Sequence, residues 1–317
     1  MRALVTGATG FVGRYLLEAL DASGVETLAC GGPNDADAFP IDLADPASLR
    51  AALDLARPDV VFHLAAQTFV PDALAAPEAT YRANVLGVAH LTQAMREYAG
   101  GGERLPRLLF TSSAEVYGAQ SPDRFPLVET TPPNPSNPYA ASKAAAEMLL
   151  LGEARAYGLD VVIARAFNHI GPGQSDRFVV ANFAAQLARI AAGSEPTMYV
   201  GNLDAKRDFL DVRDVVAAYV ALATHGARGE TYNIASGAAR SIRELLRELI
   251  IAAHVPVEVR DDPARMRPSD VPLFVGDNGK LRAATGWAPS IPFTRSIREI
   301  WEAALRHAQG DTGPSSR

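Results

Sequence analysis

Three features of this chain predict an α/β fold built on a doubly wound parallel sheet. Apolar runs of strand length alternate with helix-forming segments over the first 165 residues, the pattern of parallel strands between two helical layers. Glycines stand at positions 7, 10 and 13, between the first strand and the first helix. After Val161-Val-Ile-Ala-Arg165 the texture changes, and turn residues crowd Phe167–Gln174. The expected division is therefore a sheet domain over 1–166 and a smaller C-terminal α/β domain over 167–317. A segment near 207–235 is expected to return to the main sheet.

The chain has 317 residues, enough for two moderate cores. Hydrophobic residues make up 48% and charged residues 21%, which places it with ordinary globular proteins rather than disordered or membrane-embedded ones. The formal net charge is −6 and no basic block occurs, so no nucleic-acid partner is expected, and an anionic ligand would need local arginines. Cys30 stands alone, which rules out an intrachain disulfide and suits a reducing compartment. The N-terminus runs straight into a strand and no apolar run reaches membrane-spanning length, so the expectation is a cytoplasmic protein without a membrane partner. No metal site is expected. Residues 310–317 read as a disordered tail.

The first strand, Arg2–Thr6, runs into Gly7-Ala8-Thr9-Gly10-Phe11-Val12-Gly13, and a helix follows through Tyr15-Leu16-Leu17. Glycines so spaced permit a tight turn, close backbone approach to a pyrophosphate, and close packing of helix on strand. The helix N-terminus adds free N–H groups and the positive end of its dipole. Gly7, Thr9, Gly10, Phe11, Val12 and Gly13 are therefore candidate dinucleotide contacts, and the domain reads as a Rossmann domain. The plainer alternative is a glycine-rich turn without a ligand.

A second strand is expected near Glu26-Thr-Leu-Ala-Cys30. An acid at its end would favour NAD through the ribose 2′-hydroxyl. Cys30-Gly31-Gly32-Pro33 stands there instead. No arginine occupies the place either, although Arg14 could reach a 2′-phosphate from the helix, so NAD and NADP stay open. Asp42 and Leu43 follow a third short strand, where they would meet the adenine. Asp42 is otherwise a cap for the helix that starts at Ala44-Asp45-Pro46.

Pro58–Ala66 reads as a buried parallel strand running into a turn of small residues, Leu64, Ala65 and Ala66, beside which a cofactor can pass. Asn84 is polar among apolar neighbours, either a satisfied buried amide or part of the site. Leu108–Gly118 reads as the next strand, ending at Ser112, Ser113 and Glu115, and catalytic groups in open parallel sheets gather at such carboxyl ends. Serines there are otherwise turn formers. Asn137-Pro-Tyr-Ala-Ala-Ser-Lys143 opens a helix, with Pro138 suited to its first turn. Tyr139 and Lys143 share one helix face, and an ammonium beside a phenol is expected to draw the phenol's pKa toward neutrality for proton transfer. Later come Lys206–Asp214, a helix from Val215 to Thr224, a strand at Thr231–Ala235, a helix from Ser241 to His254, and a strand at Val257–Val259.

Together the glycine loop, His63-Leu-Ala-Ala66, Asn84, Ser113, Tyr139 with Lys143, Arg165-Ala-Phe-Asn168 and Arg207–Asp214 resemble the extended short-chain dehydrogenases that act on nucleotide sugars, the epimerase/dehydratase family. The resemblance spans about residues 1–305. Gln67-Thr-Phe-Val-Pro-Asp72, Phe167–Gln174 and Asp262-Pro-Ala-Arg-Met-Arg267 are closest to the branch that reduces the C4 ketone of a GDP-linked 4-keto-6-deoxyhexose. The mannose-type dehydratases share several of these stretches.

The resemblance implies that Ser113, Tyr139 and Lys143 are catalytic and that Glu115 matches the base of the dehydratases. Glucose-type dehydratases carry an aspartic acid where Ala114 stands, which sets this chain apart from them. It implies an NAD or NADP cofactor at the glycine loop, Asp42, Leu43, Leu64, Ala65, Ala66, Asn84, Tyr139, Lys143 and Phe167. It implies a GDP-linked sugar at Gln67, Ser113, Asn168, Phe178, Val179, Arg207, Arg267 and Asp270, with Arg207 and Arg267 on the diphosphate. Ion pairs of Arg207 with Asp208 or Asp211, and of Arg267 with Asp261 or Asp262, are the ordinary alternatives. A homodimer through a four-helix bundle, built from the helices after Asn84 and Tyr139, is implied as well. GDP-mannose dehydration, nucleotide-sugar 4-epimerisation and non-catalytic sensing on the same fold remain as other readings.

Overall fold

The computed structural model describes residues 1–265 and 271–310. In chain order the first half holds β1 (Arg2–Thr6), α1 (Phe11–Ala22), β2 (Glu26–Gly31), β3 (Phe39–Pro40), α2 (Pro46–Ala56), β4 (Val60–His63), α3 (Val70–Ala75), α4 (Pro77–Tyr81), α5 (Gly87–Gly100), β5 (Arg107–Ser113), α6 (Pro138–Tyr157) and β6 (Val161–Ala166). The second half holds β7 (Asn168–Ile170), α7 (Val179–Ala191), β8 (Thr197–Val200), β9 (Lys206–Asp211), α8 (Val212–His225), β10 (Thr231–Ile234), β11 (Ala239–Ser241), α9 (Ile242–Ala253), β12 (Glu258–Asp261), β13 (Leu273–Phe274), α10 (Gly279–Thr285) and α11 (Phe293–Ala308).

Seven strands form one sheet in the order β10-β6-β5-β4-β1-β2-β3, every neighbouring pair parallel. Strands covered on both faces need apolar side chains on both, which is why Val60–His63 and Val161–Ala166 are buried throughout. Leu4, Val61, Leu108, Phe110, Val161 and Ile163 pack with Leu49 and Leu53 of α2, Leu91 and Met95 of α5, and Ala146 and Leu150 of α6. Ala3, Val5, Phe62, Leu109, Val162 and Ala164 face the other way, onto Leu16 and Leu20 of α1 and Val215, Tyr219 and Leu222 of α8. The chain order reverses between β1 and β4, and the crevice at that switch point is where such sheets hold ligands.

The return to this sheet starts later than expected. β9 does not join it; it pairs with β7, β11 and β13 in a smaller sheet. Only α8 and β10 come back, with Thr231 opposite Ile163. α7, α9 and α11 cover a separate core through Phe183, Leu187, Leu245, Leu249, Ile297 and Trp301. Asn168–Ile170, expected as loop, is a strand because Asn168 and Ile170 find partners at Phe209 and Asp211. The strand expected to reach Gly118 stops at Ser113, and a 3₁₀ turn over Ala114–Tyr117 carries Glu115. At the start of α2 the cap is Asp45, which accepts from Ala47 N at 2.9 Å; Asp42 accepts from Ala44 N at 2.8 Å in the turn before it. The tail expected to be disordered, from residue 311 on, lies outside the described residues.

Candidate active site

Two glycines of the loop after β1 have no substitute. Gly7 has φ 70°, and a Cβ there would lie 2.7 Å from Ala65 N. A Cβ on Gly13 would lie 2.3 Å from Gly7 O. The Leu64-Ala65-Ala66 turn thus rests on Gly7 while α1 rests on the loop. α1 begins at Gly10 with no side-chain cap and no acid in its first turn, so its leading N–H groups are open to an anion. A cradle that side chains would fill, ending on an uncapped helix, fits the diphosphate of a dinucleotide. Thr9 at its mouth donates to the Asp35 carboxylate. Phe11 stacks on His169 with centroids 6.3 Å apart, and Val12 packs into the sheet core. Asp42 is exposed in its turn, whereas Leu43 crowds Gly87 and accepts from His90 Nδ1 at 2.7 Å.

Two residues expected at the cofactor turn their side chains elsewhere. Asn84, 2% exposed, accepts from Gln67 N at 2.8 Å and donates from Nδ2 to Gln67 O and Ser142 Oγ, both at 2.9 Å. It ties the segment after β4 to α6 and does not reach into the crevice. A π-helical turn over Arg82–Leu86 aims it there. Phe167 is buried against Tyr117 and Phe274, so its ring is core. Gln67 itself donates to Phe69 O at 2.7 Å, and its buried Oε1 has no donor among the described residues.

Ser113, Tyr139 and Lys143 converge at the end of β5. Asn137 caps α6 by accepting from Ala140 N at 2.9 Å, and Pro138 follows at the first turn. The Tyr139 phenol is buried beside Ser113. Ser113 Oγ also accepts from Glu115 N at 3.2 Å, and Glu115 takes Asn137 Nδ2 at 3.4 Å. Lys143 is buried; its Nζ donates to Thr111 O at 2.8 Å and lies 4.8 Å from the centre of the Phe110 ring.

The expected lowering of the tyrosine pKa does not occur. Burial pushes Tyr139 up to about 12; the Ser113 hydrogen bond opposes the rise and Glu115 adds to it. Lys143 aims at the β5 backbone rather than the phenol, and burial lowers it to about 8 against the favourable charge of Glu147. Tyr139 is therefore a phenol at neutral pH, the form that gives a proton.

On the opposite wall stand residues of the second half. Asn168 is exposed on β7, and Phe178 and Val179 at the head of α7 are each 38% exposed. Phe178 meets Phe69 edge-on at 5.8 Å, Arg177 lies 3.8 Å over the Phe69 ring, and Arg177 Nη2 pairs with Asp72 at 2.6 Å. Nothing in the sequence marked this contact across the mouth. Arg207 Nη1 donates to Val271 O at 2.6 Å and Lys206 O at 2.9 Å. Of its expected ion-pair partners, Asp208 accepts from Ser236 and Gly237, and Asp211 holds Arg213 at 2.8 Å. Asp262 pairs with Arg265 at 3.2 Å. Arg267 and Asp270 lie outside the described residues.

The family model for GDP-mannose 4,6 dehydratase matches residues 4–300. The chain belongs to that family. Among similar proteins, GDP-6-deoxy-D-mannose reductase of Pseudomonas aeruginosa is 41% identical over 96% of this chain and 98% of its own length. GDP-mannose 4,6 dehydratase 1 of Arabidopsis thaliana is 30% identical over 97% and 90%. The solved structure of RMD from Pseudomonas aeruginosa complexed with NADPH has a TM-score of 0.88 at 38% identity, covering 97% of this chain and all of that one, 100%. Thermus thermophilus UDP-glucose 4-epimerase complexed with NAD has a TM-score of 0.84 at 32% identity, covering 96% and 99%. As a member of the GDP-mannose 4,6 dehydratase family the chain is an NAD(P)-dependent oxidoreductase of the extended short-chain dehydrogenase type, as its sequence led us to expect.

Proposed function

We propose that this protein reduces the C4 ketone of a GDP-linked 4-keto-6-deoxyhexose, giving GDP-D-rhamnose or its C4 epimer. The observation that carries the reading is a buried Tyr139 beside Ser113 at the end of β5, in a chain similar throughout its length to a GDP-6-deoxy-D-mannose reductase. When bound, the reduced dinucleotide supplies the hydride. Ser113 holds the carbonyl oxygen, and the Tyr139 phenol gives it a proton as C4 becomes a carbinol. Lys143 places its charge beneath the site, and Gln67 stands on the sugar side of the segment that Asn84 holds. Asn168, Phe178, Val179 and Arg207 supply the nucleotide-sugar wall, so the second half of the chain is the substrate-binding domain.

The test is an assay with the 4-keto-6-deoxy sugar nucleotide and NADH or NADPH, followed by loss of absorbance, beside one with GDP-mannose alone. Consumption in the first and no keto-sugar in the second is the expected outcome. The reverse would favour a dehydratase, for which one observation speaks: Glu115 sits beside Ser113 and Tyr139, where a base would stand. Turnover with no net oxidation would indicate an epimerase, and tight binding without turnover a sensor.

The same reading includes a homodimer and a cytoplasmic setting. Leu86, Met148 and Tyr157, beside or on α5 and α6, are 50%, 64% and 60% exposed, an apolar surface suited to a four-helix bundle with a second copy. A monomer mass in light scattering at micromolar concentration would refute the dimer. Among the described residues no helix is long and apolar enough to cross a membrane. Cell fractionation reads the location directly.

A further inference from the structure

No acid directly follows β2, yet the fold brings one to its end. Residues 32–35 turn back, with Asp35 N donating to Gly32 O at 3.0 Å. The half-buried Asp35 carboxyl then lies against the last residue of β2: a Cβ added to Gly31 would fall 2.6 Å from Asp35 Oδ2 and 2.8 Å from its Cγ. The space that a side chain at Gly31 would fill is taken by the side chain of Asp35. Thr9 of the glycine loop donates its hydroxyl to the same Oδ2, and Asp37 N approaches Oδ1 at 3.4 Å. Ala8 N donates to Cys30 O at 3.1 Å, so the end of β2 and the glycine loop are neighbours.

We propose that Asp35 is the specificity-determining residue for the dinucleotide: its carboxylate accepts from the adenosine ribose 2′-hydroxyl of NAD(H) and excludes the 2′-phosphate of NADP(H). The assignment rests on the oxidoreductase reading and deepens it. An ionised carboxylate has about four acceptor positions, and Thr9 and Asp37 use two. The others suit a hydroxyl donor and repel a phosphate, which carries about −1.5 to −2 charges at neutral pH. Nothing in the local sequence offsets that repulsion. Between Arg14 and Arg50 the chain has no lysine or arginine, whereas Asp35, Asp37 and Asp42 all fall within this stretch. Arg14 Nη2 points to Gly173 O at 3.4 Å, on the second half of the chain. On this assignment the chain differs in dinucleotide preference from the Pseudomonas aeruginosa RMD, whose structure holds NADPH.

Calorimetric titration of the whole protein with NADH and with NADPH, without sugar, tests this apart from activity. NADH should bind roughly 10²-fold more tightly than NADPH, the discrimination expected when a carboxylate either bonds a hydroxyl or faces an anion. Asp35→Asn keeps an acceptor and removes the charge, so NADPH should gain about tenfold and NADH change by less than about threefold. Asp35→Ser, smaller and neutral, should move the ratio the same way, and both variants should keep the wild-type thermal transition. A wild-type preference for NADH below about tenfold, or a ratio unmoved in both variants, would overturn the assignment and leave the oxidoreductase reading intact. Binding of neither dinucleotide would overturn both.

Discussion

Tyr139→Phe should lower turnover of the ketone by at least about 10² and leave dinucleotide affinity within about twofold. The change removes one hydroxyl from a side chain already enclosed by the protein, so the ring keeps its packing and the glycine cradle is untouched. What is lost is the proton that the alkoxide at C4 requires. Ser113 cannot replace it, because its Oγ already accepts from Glu115 N and a serine hydroxyl is a far weaker acid than a phenol. The wild-type pH profile checks the same group. Lys143 is depressed to about 8, so its charge is complete at pH 6–7 and is lost as the pH rises through about 8. Tyr139, raised to about 12, stays protonated over that window. Reduction should therefore be flat through neutrality and fall above about pH 8, with no ascending limb from the phenol. Near-normal turnover in Tyr139→Phe would sink the proton-donor role whatever the profile.

The parts of this site that the sequence discloses are those whose geometry is local. Gly7, Gly10 and Gly13 act within one turn, and Tyr139 and Lys143 within one turn of α6, so their spacing is their structure. The seven-stranded sheet was legible for the same reason, since parallel strands buried on both faces leave continuous apolar runs. Asp35 was not legible because its role depends on a chain reversal that returns it to Gly31. Asn84 and Ser142 are 58 residues apart, and nothing in either neighbourhood shows that one amide secures both α6 and the Gln67 backbone. The direction of the Tyr139 shift was misread because spacing reveals a nearby lysine but not burial. Here burial decides: it lifts the phenol and lowers Lys143, whose Nζ donates to Thr111 O. Asn168–Ile170 is too short to show a period, and its pairing with β9 exists only once the second half folds.

Arg165→Met should destabilise the sheet domain by about 3–5 kcal/mol, a large part of the roughly 5–15 kcal/mol typical of a folded domain. Arg165 on β6 and Glu147 on α6 are both buried, and they meet through paired hydrogen bonds at 2.9 and 2.6 Å. Ser112 Oγ adds a third at 2.5 Å, and the guanidinium lies 4.7 Å from the centre of the Tyr117 ring. Removing the arginine leaves a carboxylate out of water with a single hydroxyl. Removing both charges, as Arg165→Met with Glu147→Leu, leaves no buried charge unpaired, only the Ser112 hydroxyl without its acceptor, and should recover most of the loss, because a buried pair contributes little beyond the apolar residues that could replace it. Urea unfolding of the two variants decides this: a double variant as unstable as the single one would mean that packing on Tyr117, not charge, holds the site together. The same pair reaches the chemistry, since Glu147 lies one helical turn beyond Lys143 and its charge opposes the fall of the lysine pKa. In the double variant that support is gone. Lys143 should then lose its proton below about pH 8, and the fall in reduction rate should move toward neutrality while the fold survives. A profile unchanged from wild type would show that Glu147 secures α6 to the sheet but does not set the charge of Lys143.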